Sequence, residues 1–316
     1  MAVRRAALAL LLVLAGCSGE APPVTSGTST PGSLSPLTGL PADPGGPVLA
    51  VKVDNLAPAR PQAGLSRADV LYLEPVEGGL TRFVAVFGST LPGTVGPVRS
   101  ARETDLELLA QYGRPALAYS GSAPELAPRI DAAALVPVPP GRAGQAYRRD
   151  PRRAAPHDLY ADPAQLRTAA IGAQPVRDIG FRFGAKPDGG SPVTQHQVRY
   201  PATSVTISPQ EGRWRIALDG APLADAEGGA VTPGTVVVQR VPVRESPFRD
   251  VRGSASPFAQ TVGTGQAQIL RDANVFEARW SRPDATSGTS FTLVDGRPLP
   301  FAPGPVLVLL VPAANL

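Results

Sequence analysis

The sequence has one cysteine among its 316 residues, and it has only two histidines. A lone cysteine has no partner within the chain, so the sequence excludes a fold held by internal disulfides. Long apolar runs are also missing. The most apolar stretch after the N-terminus, Val306 to Val311, is bounded by prolines and falls well short of the ~20 residues that span a bilayer.

Lysine is nearly absent, since Lys52 and Lys186 are the only two, and arginine supplies the rest of the basic side chains. The sequence pI near 9.6 therefore reflects arginine in place of lysine, while the formal net charge is only +4. Neither half of the chain carries a large basic excess. We therefore expect no nucleic-acid partner.

Familiar catalytic and cofactor motifs are missing as well. There is no HExxH, and Ser120-Gly121-Ser122 does not match the nucleophile motif G-x-S-x-G. Gly263-Thr264-Gly265 has the start of a phosphate loop but lacks the next glycine and a strand-to-helix context, so we predict a β-turn or bulge there. No cofactor is predicted.

The N-terminus has the parts of a signal peptide. Arg4 and Arg5 precede a short apolar run that ends in Leu14-Ala15-Gly16-Cys17, which resembles a lipobox. We predict a signal peptide over residues 1–16 and lipidation of Cys17, followed by a Ser/Thr/Pro/Gly-rich tether up to residue 36. Lipid on Cys17 would hold the protein on the extracytoplasmic face of the cell membrane.

Two domains are predicted in the remainder, because it exceeds what one core usually organises. Residues 37–190 alternate strands and helices and predict an α/β or α+β domain, whereas residues 191–316 predict a mostly β domain, a sandwich or partly open barrel. Predicted strands are 48–53, 69–74, 81–87, 115–119, 198–207, 213–218, 235–243, 276–280, 290–294 and 306–310. Predicted helices begin at Ser100, Ser122 and Asp162.

Charged and polar residues concentrate at the predicted strand ends and turns between residues 54 and 102, where sites on α/β sheets tend to form. The candidate ligand-binding residues are Asp54, Asn55, Arg60, Glu74, Glu77, Arg82, Arg99, Ser100, Arg102 and His157. Arginines near a helix start suit an anion. Two alternatives stay open: the charges pair with each other to pin the turns, or Asp54, Glu74 and Glu77 include a metal site or an acid/base pair.

His157 lies beside Asp158, and it follows the basic run Arg148 to Arg153. A histidine next to an acid can be a base, a metal ligand or a turn residue. The basic run either contacts anionic lipid or teichoic acid, or forms a solvated loop. His196 is predicted to be solvated.

The motifs together resemble the YerB-type bacterial lipoproteins, a family from Gram-positive bacteria defined by a conserved domain of unknown function. The resemblance rests on residues 36–39 (PLTG), 53–55 (VDN), 59–69 (ARPQAGLSRAD), 76–83, 96–102 (GPVRSAR), 156–160 (PHDLY) and 262–265, with Trp280, Asp295-Gly296 and Pro303-Gly304. It implies conserved N-terminal and C-terminal parts and a lipoprotein location, without an activity to transfer.

These observations favour a binding protein of the cell envelope over an enzyme. Its ligand would be polar or anionic, such as a cell-wall fragment, held by Asp54, Glu77, Arg82, Arg99 and Arg102 with His157 beside them. One alternative is a hydrolase or transferase acting on cell-wall polymers, with Asp54 or Glu77 as base or metal ligand and His157 as its partner. The other is an envelope scaffold whose β domain docks another protein.

Overall fold

The structure, a computed structural model, describes residues 33–42, 46–250 and 253–313. The predicted signal peptide, Cys17 and the predicted tether as far as residue 32 lie outside these residues. Over the described ranges, no helix combines the length and apolar character that a membrane crossing requires.

Strands dominate the fold, and helices are few and short. The strands are β1 (Leu49–Asp54), β2 (Val70–Pro75), β3 (Thr81–Phe87), β4 (Ala116–Ala118), β5 (Val136–Pro137), β6 (Tyr147–Arg149), β7 (Leu159–Ala161), β8 (Ser191–Pro192), β9 (His196–Tyr200), β10 (Thr203–Gln210), β11 (Arg213–Leu218), β12 (Ala221–Pro222), β13 (Thr235–Val241), β14 (Val243–Arg249), β15 (Ala255–Ala259), β16 (Gly263–Arg271), β17 (Asn274–Arg282), β18 (Ser290–Leu293) and β19 (Val306–Pro312). The α-helices are α1 (Glu103–Ala110), α2 (Ala127–Ala132), α3 (Pro140–Ala143) and α4 (Pro163–Ala169). Single 3-10 turns lie at Ala57–Ala59, Leu65–Arg67, Glu77–Gly79, Pro124–Leu126 and Gly144–Ala146.

An 11-stranded mixed sheet forms the centre, in the order β18-β17-β16-β13-β19-β2-β3-β1-β4-β5, with β8 beside β17. β19 pairs in parallel with both β13 and β2, and β1 pairs in parallel with β4. β3 lies antiparallel between β1 and β2, so these two strands run in the same direction and their C-terminal ends lie on the same side of the sheet. The candidate site lies at these strand ends.

Both faces of this sheet are covered, which explains why its central strands read as continuous apolar runs. On one face Leu49, Val51 and Val53 of β1 join a core that includes Trp214 and other residues of the smaller sheet β12-β11-β10-β9. On the opposite face Ala50 packs in a second core with residues of α1 and α2. The alternation follows from the two-residue period of a strand.

The fold class is confirmed: an α/β N-terminal part is followed by a mostly β C-terminal part. Strands from both parts share the central sheet, because β19 hydrogen-bonds along β2. The domain boundary near residue 190 stays a prediction.

Helix starts were predicted with mixed success. Asp162 caps α4 as expected, since its carboxylate accepts hydrogen bonds from the backbone N–H groups of Ala164 and Gln165. Ser100 was the wrong residue for α1, which has Arg102 at its N-cap. There the Asp105 carboxylate accepts the Arg102 backbone N–H at 2.7 Å, so the acid in the first turn supplies the cap.

Three details of the C-terminal part differ from expectation. The predicted strand 198–207 is two antiparallel strands, β9 and β10, with a turn at Pro201 and Ala202. The prediction of a β-turn or bulge at Gly263 to Gly265 is wrong, because these residues begin β16 and pair in regular register with β17. The hairpin of β14 and β15 was not predicted, because each strand contains a proline and forms only a two-stranded ribbon.

Candidate functional site

A row of charged side chains crosses three central strands of the sheet, at the C-terminal ends of β1 and β2. Arg82 of β3 lies opposite Asp54 of β1 on one side and opposite Glu74 of β2 on the other. Directly paired residues project from the same face of a sheet, so the three side chains form one row. All three are buried.

Asp54 lies at one end of this row, and its carboxylate connects three segments of the chain. Oδ1 accepts the backbone N–H of Leu56 at 3.1 Å. Oδ2 lies 2.7 Å from Nδ1 of His157 and 3.1 Å from Nε of Arg99. The Arg99 contact has the distance of an ion pair but not the geometry of a hydrogen bond. A fully buried carboxylate therefore has its negative charge balanced locally.

Asn55 and Arg60 hold the turn that follows β1. The Asn55 amide donates to Thr81 Oγ1 at 2.8 Å and accepts a hydrogen bond from the Gln62 amide. Arg60 donates to the Asn55 carbonyl at 2.8 Å and pairs with Asp219 at 2.9 Å. Their polar groups are therefore engaged within the protein.

Glu77 and Arg102 form a buried, two-pronged pair. Arg102 Nη2 donates to Glu77 Oε2 at 2.8 Å, Arg102 Nε donates to Oε1, and the Ser256 hydroxyl of β15 also donates to Oε1. Burial by itself would raise the pKa of Glu77, but the hydrogen bonds and charge of Arg102 and the Ser256 hydroxyl lower it to about 2. The Ser256 contact connects this N-terminal pair to the C-terminal part.

Arg82 lies between Asp54 and Glu74 in the sheet, and it is also close to two other arginines. Its Nη1 donates to the Ser100 carbonyl at 3.0 Å, whereas its Nε has no hydrogen-bond partner among the described residues. Burial, together with the positive charges of Arg102 and Arg99, lowers the pKa of Arg82 to about 10. Ser100 contributes its carbonyl to this contact.

Glu74 belongs to a second buried cluster that the sequence analysis did not identify. Lys52 Nζ donates to Glu74 and, at 2.8 Å, to Asp105 Oδ1, and all three side chains are inaccessible to solvent. Burial and the Asp105 charge raise the pKa of Glu74 to about 7, against the opposing effect of Lys52. A lysine inside an otherwise apolar strand was the available signal.

A cleft of about 690 Å³ lies next to the charged row. Its lining residues are Pro58, Ala63, Thr94, Arg148, Asp150, Arg152, Arg153, Ala154, His157, Tyr160, Ala226 and Glu227. Of the ten predicted binding residues, His157 alone lines this cleft. It reaches the cleft from the loop between β6 and β7.

The basic run supplies the cationic wall of the cleft. Arg152 is paired with Asp150 at 2.9 Å, whereas no carboxylate of the described residues forms an ion pair with Arg148 or Arg153. These two guanidinium groups each lie 5.8 Å from the centroid of the Tyr160 ring. Arg148 donates to Thr94 Oγ1, and Arg153 donates to the carbonyls of Pro58 and Pro61.

His157 connects the cleft to the buried row. Its Nδ1 faces the Asp54 carboxylate, and its ring lines the cleft. Across the described part of the chain, no hydrogen bond reaches the other ring nitrogen, Nε2. Within the same part, no group of three or more histidine, cysteine, aspartate and glutamate side chains is arranged to hold a metal ion. A polar or anionic ligand or a proton-transfer step suits this donor set.

Comparison with known proteins places this architecture in a family. Residues 37–176 match the family described as "Protein of unknown function (DUF3048) N-terminal domain", and residues 195–308 match its C-terminal domain. The chain is 28% identical over 295 residues to "Putative lipoprotein YerB" of Bacillus subtilis, covering 88% of this chain and 86% of that protein.

The crystal structure of YerB protein from Bacillus subtilis is similar in fold as well. The TM-score is 0.75 at 25% identity, and the match covers 88% of this chain and 96% of the YerB chain. The two matched regions together span most of the sequence and follow in the expected order. The chain therefore belongs to the DUF3048 family and contains both of its conserved parts, as the resemblance to YerB-type lipoproteins implied.

Proposed function

We propose that this protein is a lipid-anchored receptor of the cell envelope whose cleft binds a phosphate-bearing envelope polymer. The observation that carries the proposal is the cationic wall formed by Arg148 and Arg153 on a cleft that also presents His157. A guanidinium group matches the oxygens of a phosphate with two parallel N–H donors.

Both arginines keep donors available for a ligand. A guanidinium carries five N–H groups. Arg148 uses one of them on Thr94, and Arg153 uses two on backbone carbonyls. These internal bonds, and the Tyr160 ring near both side chains, hold the guanidinium groups in place and reduce the entropy lost on binding. Two fixed cations on one wall favour a ligand with more than one negative group.

The predicted site residues of the charged row have a supporting part in this proposal. Asp54 pairs with Arg99, Glu77 pairs with Arg102, and Arg82 is buried, so these side chains are engaged inside the protein and do not line the cleft. We propose that they hold the ends of β1 and β3 in place, and that His157 and the cleft wall pack on these strand ends.

Anchoring completes the proposal. The relative named as a lipoprotein supports lipidation at Cys17, which would hold the cleft at the extracytoplasmic face of the cell membrane. Metabolic labelling with radioactive palmitate tests this step. We expect label in the wild-type chain and none in Cys17→Ser, and label that persists in Cys17→Ser would contradict it.

The edges of the central sheet do not favour the scaffold alternative. The central sheet ends at β18 and β5, which have four and two residues. Short edge strands are poor templates for strand addition by a partner.

Fluorescence anisotropy with a labelled glycerol-phosphate oligomer tests the cleft, using the full chain in detergent. We expect Arg148→Gln with Arg153→Gln to weaken binding by about 100-fold or more, since each charged hydrogen-bond contact contributes ~1.5 kcal/mol or more and the double variant removes two of them. The matched control is Arg215→Gln with Arg279→Gln, two exposed strand arginines outside the cleft. Equal affinities for the two double variants would overturn the proposal, as would binding to phosphatidylglycerol vesicles with none to the oligomer.

A further inference from the structure

The inference drawn here rests on the proposed function and adds a reaction to it. We propose that His157 is a general base that hydrolyses phosphodiester links of the polymer bound in the cleft, and that Asp54 is its positioning residue. The cleft would then be an active site, and the cationic wall would bind the substrate.

The orientation of the His157 ring is the first observation. Nδ1 lies 2.7 Å from Oδ2 of Asp54, a carboxylate that is wholly buried. A carboxylate accepts hydrogen bonds, so Nδ1 carries the proton of the neutral ring and Nε2 carries the lone pair. The ring lines the cleft, and no hydrogen bond from the described residues reaches Nε2. The basic nitrogen is therefore not occupied by another group of the described protein.

The surroundings of Asp54 are the second observation. Its other oxygen accepts the Leu56 N–H, and Arg99 lies within ion-pair distance of Oδ2. These contacts fix the direction of the carboxylate. When Nε2 takes up a proton, the imidazolium that forms lies against a charge of opposite sign. A buried acid serves a catalytic histidine in this way by fixing its tautomer and orientation.

The cationic wall is the third observation. Arg148 and Arg153 line the same cleft as His157 and have no carboxylate partner among the described residues. A phosphodiester carries one negative charge on its two free oxygens. The negative charge on these oxygens increases as a nucleophile adds to phosphorus. Guanidinium groups that contact these oxygens stabilise the transition state electrostatically.

The reaction consumes one water for each link broken. Nε2 of His157 accepts a proton from the water while its oxygen forms a bond to phosphorus, and the bond from phosphorus to the leaving alkoxide breaks. The alkoxide takes a proton, which returns the imidazolium to neutral imidazole directly or through water. The products are a phosphomonoester end and an alcohol end, and no oxidant or further reactant is needed.

A purely structural role for His157 makes a different prediction. A histidine that only pins its loop needs the hydrogen bond to Asp54 and nothing at Nε2. The variant His157→Asn separates the two roles, because its amide N–H can still donate to Asp54 while the distal nitrogen is lost. His196→Asn is the matched control, since His196 lies in β9 and does not line the cleft.

The test incubates the full chain with a glycerol-phosphate oligomer at saturating concentration and follows phosphomonoester ends by phosphorus NMR. We expect turnover by the wild type and by His196→Asn. His157→Asn should keep its affinity within about threefold but lose turnover by about 100-fold or more, the usual contribution of a general base. Asp54→Asn should also lose turnover, with thermal melting used to confirm that each variant is folded.

The two proposals fail in distinguishable ways. Tight binding by the wild type without product would overturn the hydrolytic role and leave the receptor function intact. Turnover by folded His157→Asn at the wild-type rate would overturn the role of His157 in the same way. Absence of binding to the oligomer would overturn both.

Discussion

The side-chain nitrogen of Lys52 lies 2.8 Å from the carboxylate of Asp105, and neither side chain is accessible to solvent. Lys52 comes from the middle of a core strand, and Asp105 comes from the first turn of α1. Glu74 completes the group, so one buried cation is shared by two carboxylates. The helix is thereby attached to the sheet face by charge as well as by apolar packing.

Loss of the Lys52 ammonium should be strongly destabilising. Lys52→Met leaves two buried carboxylates without their cation, and breaking a buried pair in this way costs about 3–5 kcal/mol. Urea unfolding measures the loss. Lys186→Met is the control, because Lys186 is exposed and should change stability by less than about 0.5 kcal/mol.

Amine labelling of the wild type provides a second measurement, since Lys52 and Lys186 are the only lysines. An amine-reactive ester should modify Lys186 in the native protein and Lys52 only after unfolding. Equal native labelling of both lysines would contradict the burial of Lys52.

Glu74 should make stability depend on pH between about 5 and 8. Burial and the Asp105 charge raise its pKa from 4.5 to about 7 in the folded protein. Between these values the folded chain holds a proton that the unfolded chain has released, so the contribution of Glu74 to stability falls as the pH rises from about 5 to 8. Glu74→Gln cannot ionise. Relative to the wild type it should gain up to about 3 kcal/mol over that range.

Chemical denaturation at pH 5, 6, 7 and 8 tests this expectation. Glu125→Gln, an exposed glutamate at a 3-10 turn, is the control and should follow the wild type throughout. A stability difference between Glu74→Gln and the wild type that stays constant across the range would show that Glu74 is ionised in the folded protein at all four pH values.

Glu77 should produce the opposite dependence at acid pH. Although burial opposes its charge, Arg102 and Ser256 lower its pKa from 4.5 to about 2. Its stabilising effect is therefore present above about pH 5 and is lost as the pH falls toward 2. The wild type should lose up to about 3 kcal/mol more than Glu77→Gln between pH 5 and 2.5. Parallel denaturation curves for the two proteins would be inconsistent with a charged Glu77–Arg102 pair.

Local sequence patterns predicted the elements that build this region. β3 was predicted with its observed bounds and β1 within one residue, because their apolar runs and flanking turns are local signals. The pattern also indicated that polar residues concentrate at the strand ends and turns between residues 54 and 102. Which of them meet depends on long-range packing: Asp54 and His157 are 103 residues apart, and their contact requires the loop between β6 and β7 to fold back on β1.

Two residues show why the rest could not be predicted. Lys52 carries a charge in a strand that reads as core, and only its tertiary partners Glu74 and Asp105 make that position tolerable. Gly265 was predicted to lie in a β-turn or bulge, because its segment lacks the next glycine and the strand-to-helix context of a phosphate loop. Gly265 lies in a strand because it pairs with Trp280 of β17, and this long-range pairing has no local sequence signal.

Gly265 should tolerate no side chain. In β16 it lies opposite Trp280, whose indole N–H donates to the Arg240 carbonyl at 2.8 Å. A Cβ at this position would lie 2.5 Å from the indole nitrogen and 2.9 Å from the same carbonyl oxygen, so the ring must move and the hydrogen bond must break. Gly265→Ala should therefore lose about 1–3 kcal/mol and shift the tryptophan emission. Gly121→Ala, where a Cβ meets nothing within 4 Å, should leave both unchanged. Wild-type stability and emission in Gly265→Ala would contradict the close packing of Trp280 over this strand.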